Sequence, residues 1–166
     1  MEFGMMEGVF PSWIADLEQG IFDRLIRLGN AVPADVEVGY HLCYGSGKNR
    51  HFIEPQDAGR LVTVANTLTD KLARPITWIH LPVPIDRTDP AYFAPLRGLR
   101  LSADTELYLG LIHLTDGVEG ARRRIGAARA AVDTFGVATE CGFGRRAPET
   151  IPALLALHAA VARLTS

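Results

Sequence analysis

Four short segments that are apolar almost throughout recur along this chain, and each is followed by a segment with helical periodicity. The apolar segments are residues 36–42, 76–80, 107–113 and 137–141. Strands without polar alternation are typical of a parallel sheet that is covered on both faces. A regular succession of strand and helix predicts either a small open α/β sheet or a TIM-type barrel.

The helical segments carry apolar residues at spacings of three and four. They are predicted at about residues 16–28, 55–72, 118–135 and 148–164, with one further helical turn near 91–96. A complete (β/α)₈ barrel needs about 250 residues. The 166 residues of this chain hold about four βα units preceded by one helix. The sequence therefore predicts a single domain over residues 1–166, either an open α/β domain or part of a barrel.

Charge and composition exclude several classes of partner. The net charge is −2 and the basic residues are scattered, so no nucleic-acid surface is predicted. The triplet Arg122–Arg124 lies in a helical pattern and is predicted to form a solvated helix face. No apolar run reaches the roughly 18 residues that span a membrane. The first residues lack the basic and apolar regions of a signal peptide. We therefore expect a cytoplasmic protein whose two cysteines are reduced.

Cysteine and histidine side chains stand at the ends of the predicted strands. His41 and Cys43 are two residues apart on the first strand, so alternation points both to the same face. His80 and His113 end the next two strands, and Cys141 ends the last. The carboxyl ends of parallel strands converge on one rim. Zinc binds four such ligands in a closed site, or three with one open position.

Each of these residues also has a structural interpretation. A cysteine in an apolar strand is usually a small buried hydrophobic residue, although the His-x-Cys pair favours a metal site. His113 is a ligand, a proton donor or a buried structural histidine. Arg145 and Arg146 either bind a substrate carboxylate through paired hydrogen bonds or form a solvated loop pair.

Two further polar residues are assigned no role in the site. Strand alternation predicts that Glu140 points away from the face of Cys141. His51 follows a glycine-containing loop and is predicted to lie on the polar surface.

The strand-end motifs resemble the C-terminal catalytic barrel of cobalamin-independent methionine synthase. They resemble still more the methionine-synthase-like members of the uroporphyrinogen decarboxylase/methionine synthase superfamily. The matching segments are His41-Leu42-Cys43, Glu140-Cys141-Gly142 and the strand ends at His80 and His113. In the synthase a His-x-Cys strand supplies two zinc ligands, and a late Asp-Cys-Gly strand end supplies another. The intervening strand ends in a glutamate ligand, and His80 stands at that place here.

The resemblance implies a fold, a cofactor and a reaction. The expected fold is α/β, with parallel βα units that form the C-terminal half of a TIM (β/α)₈ barrel. The expected zinc ligands are His41, Cys43, His80 and Cys141, and His113 takes part in catalysis. The implied activity is a methyltransferase-like, zinc-dependent methyl or alkyl transfer from an unidentified donor to a small-molecule thiol, incomplete in this chain alone.

Other functions and states of assembly stay open. The alternatives are a metal-free decarboxylase-like enzyme of the same superfamily and a non-catalytic or truncated metal-binding module. Half of a barrel leaves two sheet edges and its inner apolar face uncovered. The sequence therefore predicts either a homodimer or a missing N-terminal half.

Overall fold

The computed structural model describes residues 2–47, 50, 51 and 53–165. Its six helices are α1 (Glu2–Met6), α2 (Leu17–Ala31), α3 (Gly59–Lys71), α4 (Pro90–Phe93), α5 (Gly117–Ala128) and α6 (Ile151–Ala162). Its six strands are β1 (Gly39–His41), β2 (Ser46–Gly47), β3 (Arg50–His51), β4 (Trp78–Pro82), β5 (Glu106–Ile112) and β6 (Gly136–Thr139). No helix in these ranges is long and apolar enough to cross a membrane.

Four of the strands form one parallel sheet in the order β1-β4-β5-β6. The strand order follows the chain, as predicted for half of a barrel. The pairing extends beyond β1 itself, because Thr77 N donates to Val38 O and Leu42 N donates to His80 O. The prediction of an α/β fold with four parallel strands is confirmed, and the architecture is that of a partial TIM-barrel-like domain.

One face of the sheet is buried under the helices. Helix α5 contacts β5, and α6 contacts both β6 and α5. The strand residues on this face are fully or nearly fully buried: Ile79, Leu81, Leu107, Leu109, Leu111 and Val137. Helix α3 adds its predicted apolar stripe through Leu61, Ala65 and Leu68. This layer is the hydrophobic core.

The other face of the sheet pairs aromatic rings with glycines on neighbouring strands. A Cβ atom at Gly39 would collide with the Trp78 ring, and one at Gly136 would collide with the Tyr108 ring. The rings lie flat because the glycines leave room for them. This inner face is not covered by any helix among the described residues, and it holds an open, mostly apolar hollow of about 470 Å³.

Helix α2 runs on to Ala31 rather than ending near residue 28, and α6 begins at Ile151 rather than near residue 148. Two further predicted boundaries are wrong for local reasons. Helix α3 begins at Gly59 rather than near Pro55, because Ala58 N donates to Tyr92 O and Asp57 Oδ1 accepts from Gly59 N. Helix α5 ends at Ala128. Beyond it, Ala130 and Ala131 donate to carbonyls three residues earlier, which tightens the chain into turns.

The segment after Cys43 is a short antiparallel hairpin rather than only a flexible polar loop. Ser46 pairs with His51, and Gly47 pairs with Arg50. The hairpin brings His51 back toward the ends of the parallel strands. Residues 48 and 49 of the predicted loop at 45–50, and residue 52 beyond it, lie outside the described part of the chain.

Arg124 is fully buried, which corrects the prediction that the arginine triplet is a solvated helix face. Its guanidinium donates to Leu111 O at the end of β5, to Ile85 O beyond β4, and to the Asp116 carboxylate. Arg122 and Arg123 are exposed, as predicted. The buried guanidinium thus joins the end of β5 and Asp116 beyond it to the segment that follows β4.

Candidate metal centre

Three of the predicted ligands come together at the carboxyl ends of the outer strands. His41 ends β1, Cys43 lies two residues further along an extended segment, and Cys141 lies two residues beyond β6. One ligand atom of each residue lies within 4.8 Å of those of the other two. Both cysteines are free thiols and half-buried, whereas His41 is exposed. The three ligand atoms therefore meet although β1 and β6 are the two outer strands of the sheet.

The donor set fits zinc. Two thiols and one imidazole are ligands that zinc takes in proteins. Ligands at 2.0–2.3 Å from a tetrahedral zinc lie about 3.8 Å or less from one another. Side chains whose ligand atoms are already within 4.8 Å of one another need only small rotations to reach that geometry. Three protein ligands would leave one position of the metal open, which is the arrangement of catalytic rather than structural sites.

His80 lies beside this group and is not among its three members. Its Nδ1 is 2.6 Å from Nδ1 of His41, and its Nε2 donates to Thr139 O at 3.0 Å. Burial, with a smaller contribution from His41, lowers the pKa of His80 to about 4, so the ring is neutral near pH 7. The structure therefore brings His80 to the predicted site but engages both of its ring nitrogens with protein partners.

The two cysteines have different surroundings. Burial, the neighbouring Cys141 thiol and the charge of Glu140 together raise the pKa of Cys43 to about 11. Without a metal, Cys43 is therefore a protonated thiol at neutral pH, and binding a metal would release its proton. Arg145 donates to Cys141 Sγ at 3.8 Å, so a cation stands next to this sulfur.

A pocket of about 400 Å³ opens beside the two cysteines. The polar residues of its wall include both cysteines and six other side chains: His51, Glu54, Asp86, His113, Glu140 and Arg146. Arg146 lines this pocket, whereas Arg145 reaches the Cys141 sulfur. The predicted role of both arginines in substrate binding stays a prediction.

His51 and Glu140 form part of this pocket, although the sequence indicated neither. His51 Nε2 is 2.5 Å from Glu140 Oε1, and its Nδ1 is 3.6 Å from Glu54 Oε2. The side chains of His51 and Glu140 are only 14% and 18% exposed. The contact with Glu140 outweighs the opposing effect of burial and raises the pKa of His51. Because β6 ends at Thr139, strand alternation no longer separates Glu140 from Cys141, and both line the pocket.

His113 is buried and lines the same pocket. Its Nε2 donates to Val83 O at 2.8 Å, because a carbonyl oxygen can only accept. Burial lowers the pKa of His113, so the neutral ring keeps a lone pair on Nδ1. A neutral imidazole in the lining of a pocket that also holds two thiols can accept a proton on that nitrogen.

The sequence matches no known protein-family profile and no curated protein. The fold is similar to a crystal structure described as the putative vitamin-B12 independent methionine synthase from Listeria monocytogenes, with a TM-score of 0.52 and 19% sequence identity. The match covers 92% of this chain and 44% of that protein, so the chain spans less than half of its length. At this identity the similarity shows the fold alone, an α/β domain with four parallel strands.

Proposed function

We propose that this chain carries the metal-binding half of a methionine-synthase-like enzyme that transfers a methyl or alkyl group to a thiol. One observation carries the proposal. Ligand atoms of His41, Cys43 and Cys141 lie within 4.8 Å of one another at the end of a parallel sheet, beside a pocket large enough for a small molecule. The similarity to a protein described as a methionine synthase supports the same reaction class.

His41, Cys43 and Cys141 would hold zinc. When bound, zinc lowers the pKa of a thiol in its open position and keeps the sulfur as a nucleophilic thiolate. The proposed setting is cytoplasmic, where thiol ligands stay reduced.

The remaining roles belong to the residues of the pocket. The thiol substrate gives up its proton, and His113 Nδ1 is the proposed acceptor, because its other nitrogen is held by Val83 O. Arg146 is the proposed partner of a substrate carboxylate, which it can bind through paired N–H groups. The pair formed by His51 and Glu140 keeps a carboxylate and its counter-cation in the wall of the pocket.

The direct test is thiol methylation by the zinc-loaded chain. Methyl iodide is a suitable donor, because iodide leaves without needing a proton from the protein. A panel of small thiols should include homocysteine, the thiol that becomes methionine on methylation, and mass spectrometry would detect the thioether. We expect the zinc-loaded chain to accelerate thioether formation and the Cys43→Ser variant to lose that acceleration.

Other outcomes would favour the remaining candidates. Zinc binding without acceleration for any thiol would favour a non-catalytic metal-binding module. A chain that binds no metal, and whose pocket binds small carboxylates through Arg146, would instead favour a decarboxylase-like enzyme. Either result would contradict the proposed thiol alkylation.

A further inference from the structure

His80 is enclosed on three sides. Its ring is nearly parallel to that of His41, with centroids 4.7 Å and planes 15° apart, and the two Nδ1 atoms are 2.6 Å apart. A Cβ atom at Gly110 would lie 2.7 Å from His80 Nε2, so the ring lies directly against the backbone of β5. The carbonyl of Thr139 at the end of β6 accepts its Nε2–H. Only 7% of the residue is exposed.

These contacts determine which nitrogen of each ring carries a hydrogen. A carbonyl oxygen is only an acceptor, so the bond to Thr139 O requires a hydrogen on His80 Nε2. The neutral His80 ring then has its lone pair on Nδ1. At a separation of 2.6 Å, this lone pair accepts the hydrogen of His41 Nδ1. The arrangement leaves Nε2 of His41 as the unprotonated nitrogen.

A metal can bind only the unprotonated nitrogen of a neutral imidazole. Histidine ligands of metals commonly donate their other N–H to a neighbouring acceptor, which fixes both the tautomer and the orientation of the ring. His80 offers His41 such an acceptor. To bind a metal itself, His80 would have to release either Thr139 O or His41, and its fit against Gly110 leaves little room to turn.

We propose that His80 is a positioning residue that orients His41 as a metal ligand, and that it is not itself a ligand. The inference rests on the metal site of the proposed function. It departs from the four-ligand expectation, in which His80 replaces the glutamate of the resembled family. The site then has three protein ligands, and its fourth position stays open for a thiol.

X-ray absorption at the zinc edge counts the imidazoles directly. On the zinc-loaded full chain we expect two sulfur ligands and one imidazole. Two imidazoles would overturn the inference and leave the proposed function standing. A chain that takes up no zinc would overturn both. One imidazole without thiol methylation would contradict the function alone.

Two variants at position 80 separate orientation from ligation. His80→Ala removes the acceptor, and we expect zinc affinity measured by chelator competition to fall about 10- to 100-fold, the usual cost of losing such a partner. His80→Asn places a carbonyl oxygen close to the position of Nδ1, so it should restore most of that loss. If Asn binds zinc as weakly as Ala although both variants keep the wild-type unfolding temperature, the positioning role is wrong.

A second measurement does not depend on any variant folding. Long-range ¹H–¹⁵N spectra of the zinc-loaded wild-type chain report which ring nitrogens carry hydrogen. We expect His80 to carry its hydrogen on Nε2 and His41 on Nδ1. The opposite tautomer of His80, or a metal-shifted Nδ1 resonance in that ring, would contradict the proposal.

Discussion

Asp116 and Arg124 form a two-pronged ion pair, with Arg124 Nη1 2.7 Å from Asp116 Oδ2 and Nη2 2.8 Å from Oδ1. Burial alone would raise the pKa of the Asp116 carboxyl, but the Arg124 guanidinium has the larger effect and the pKa is lowered. The same guanidinium satisfies carbonyls of Leu111 and Ile85. Arg124 therefore holds two segments of the chain together: the one after β4, through Ile85 O, and the one after β5, through Asp116. Both segments line the pocket.

Removing this guanidinium should destabilise the fold strongly. Arg124→Met leaves a partly buried carboxylate and two carbonyls without their donor, and we expect the free energy of unfolding to fall by about 3 kcal/mol or more. Denaturant unfolding measures the change. The matched control is Arg122→Met on the same helix, because Arg122 is exposed and forms an ion pair with an exposed Glu119. That variant should change stability by less than about 0.5 kcal/mol. Equal effects would contradict the assigned role of Arg124.

The pairing of His51 with Glu140 should make stability depend on pH. The pKa of His51 is raised in the folded protein. Its contribution is therefore complete below the unfolded value of about 6.5 and is lost as the pH rises through the folded value. We expect His51→Gln to cost roughly 1–2 kcal/mol at pH 6 and much less at pH 9. His158→Gln, on α6 outside the pocket, is the control, and a pH-independent loss in His51→Gln would contradict the ion pair.

Zinc content should depend on the two cysteines. We expect the purified chain to bind about one zinc per site and the Cys43→Ser, Cys141→Ser double variant to lose it, because the hydroxyl is a poor replacement for a thiolate ligand. Elemental analysis after gel filtration measures this. The control is Arg146→Gln, which keeps all three ligands and should retain the metal. Zinc retained in the cysteine double variant would exclude the proposed site.

His113 should affect the reaction without affecting the metal. His113→Asn removes the proposed proton acceptor, and we expect thiol methylation to slow by about 10²- to 10⁴-fold. Zinc content should stay at the wild-type level, since His113 is not one of the three grouped ligands. A variant that loses zinc in parallel with activity would point instead to a structural or ligand role for His113.

The uncovered inner face should lead to association. We propose that a second copy of the chain covers this face, with β6 of each copy beside β1 of the other in one eight-stranded barrel. Among the described residues, β1 and β6 each pair with one neighbour only, and the aromatic face with Trp78 and Tyr108 has no covering layer. Light scattering should give twice the 18.1 kDa of one chain.

A charge on that face should prevent the association. Ala138→Arg places a cation among the residues of the inner hollow and should yield monomers or insoluble protein. Ala159→Arg on the exposed side of α6 should leave the dimer intact. A monodisperse wild-type monomer at micromolar concentration would show that the sheet does not need a second half.

Local patterns predicted the order of the elements and the place of the candidate site. The apolar segments became the four parallel strands, and Leu61, Ala65 and Leu68 face the core, because burial of apolar side chains follows the strand and helix periods directly. The carboxyl ends of parallel strands share one edge of a sheet, so His41, Cys43 and Cys141 could be expected at the same edge, whereas their approach to within 4.8 Å from the two outer strands is decided by the tertiary structure.

Only the tertiary structure decided how the polar residues are paired. Arg124 sits in a triplet that looks solvated, and its burial depends on carbonyls from two distant segments. The β2–β3 hairpin brings His51 to Glu140. His80 on β4 forms hydrogen bonds with His41 on β1 and with Thr139 O on β6. Alternation predicts side-chain direction only while a strand continues. Beyond β6, long-range hydrogen bonds and ion pairs set the direction of each side chain, and these contacts leave no periodic signal in the sequence.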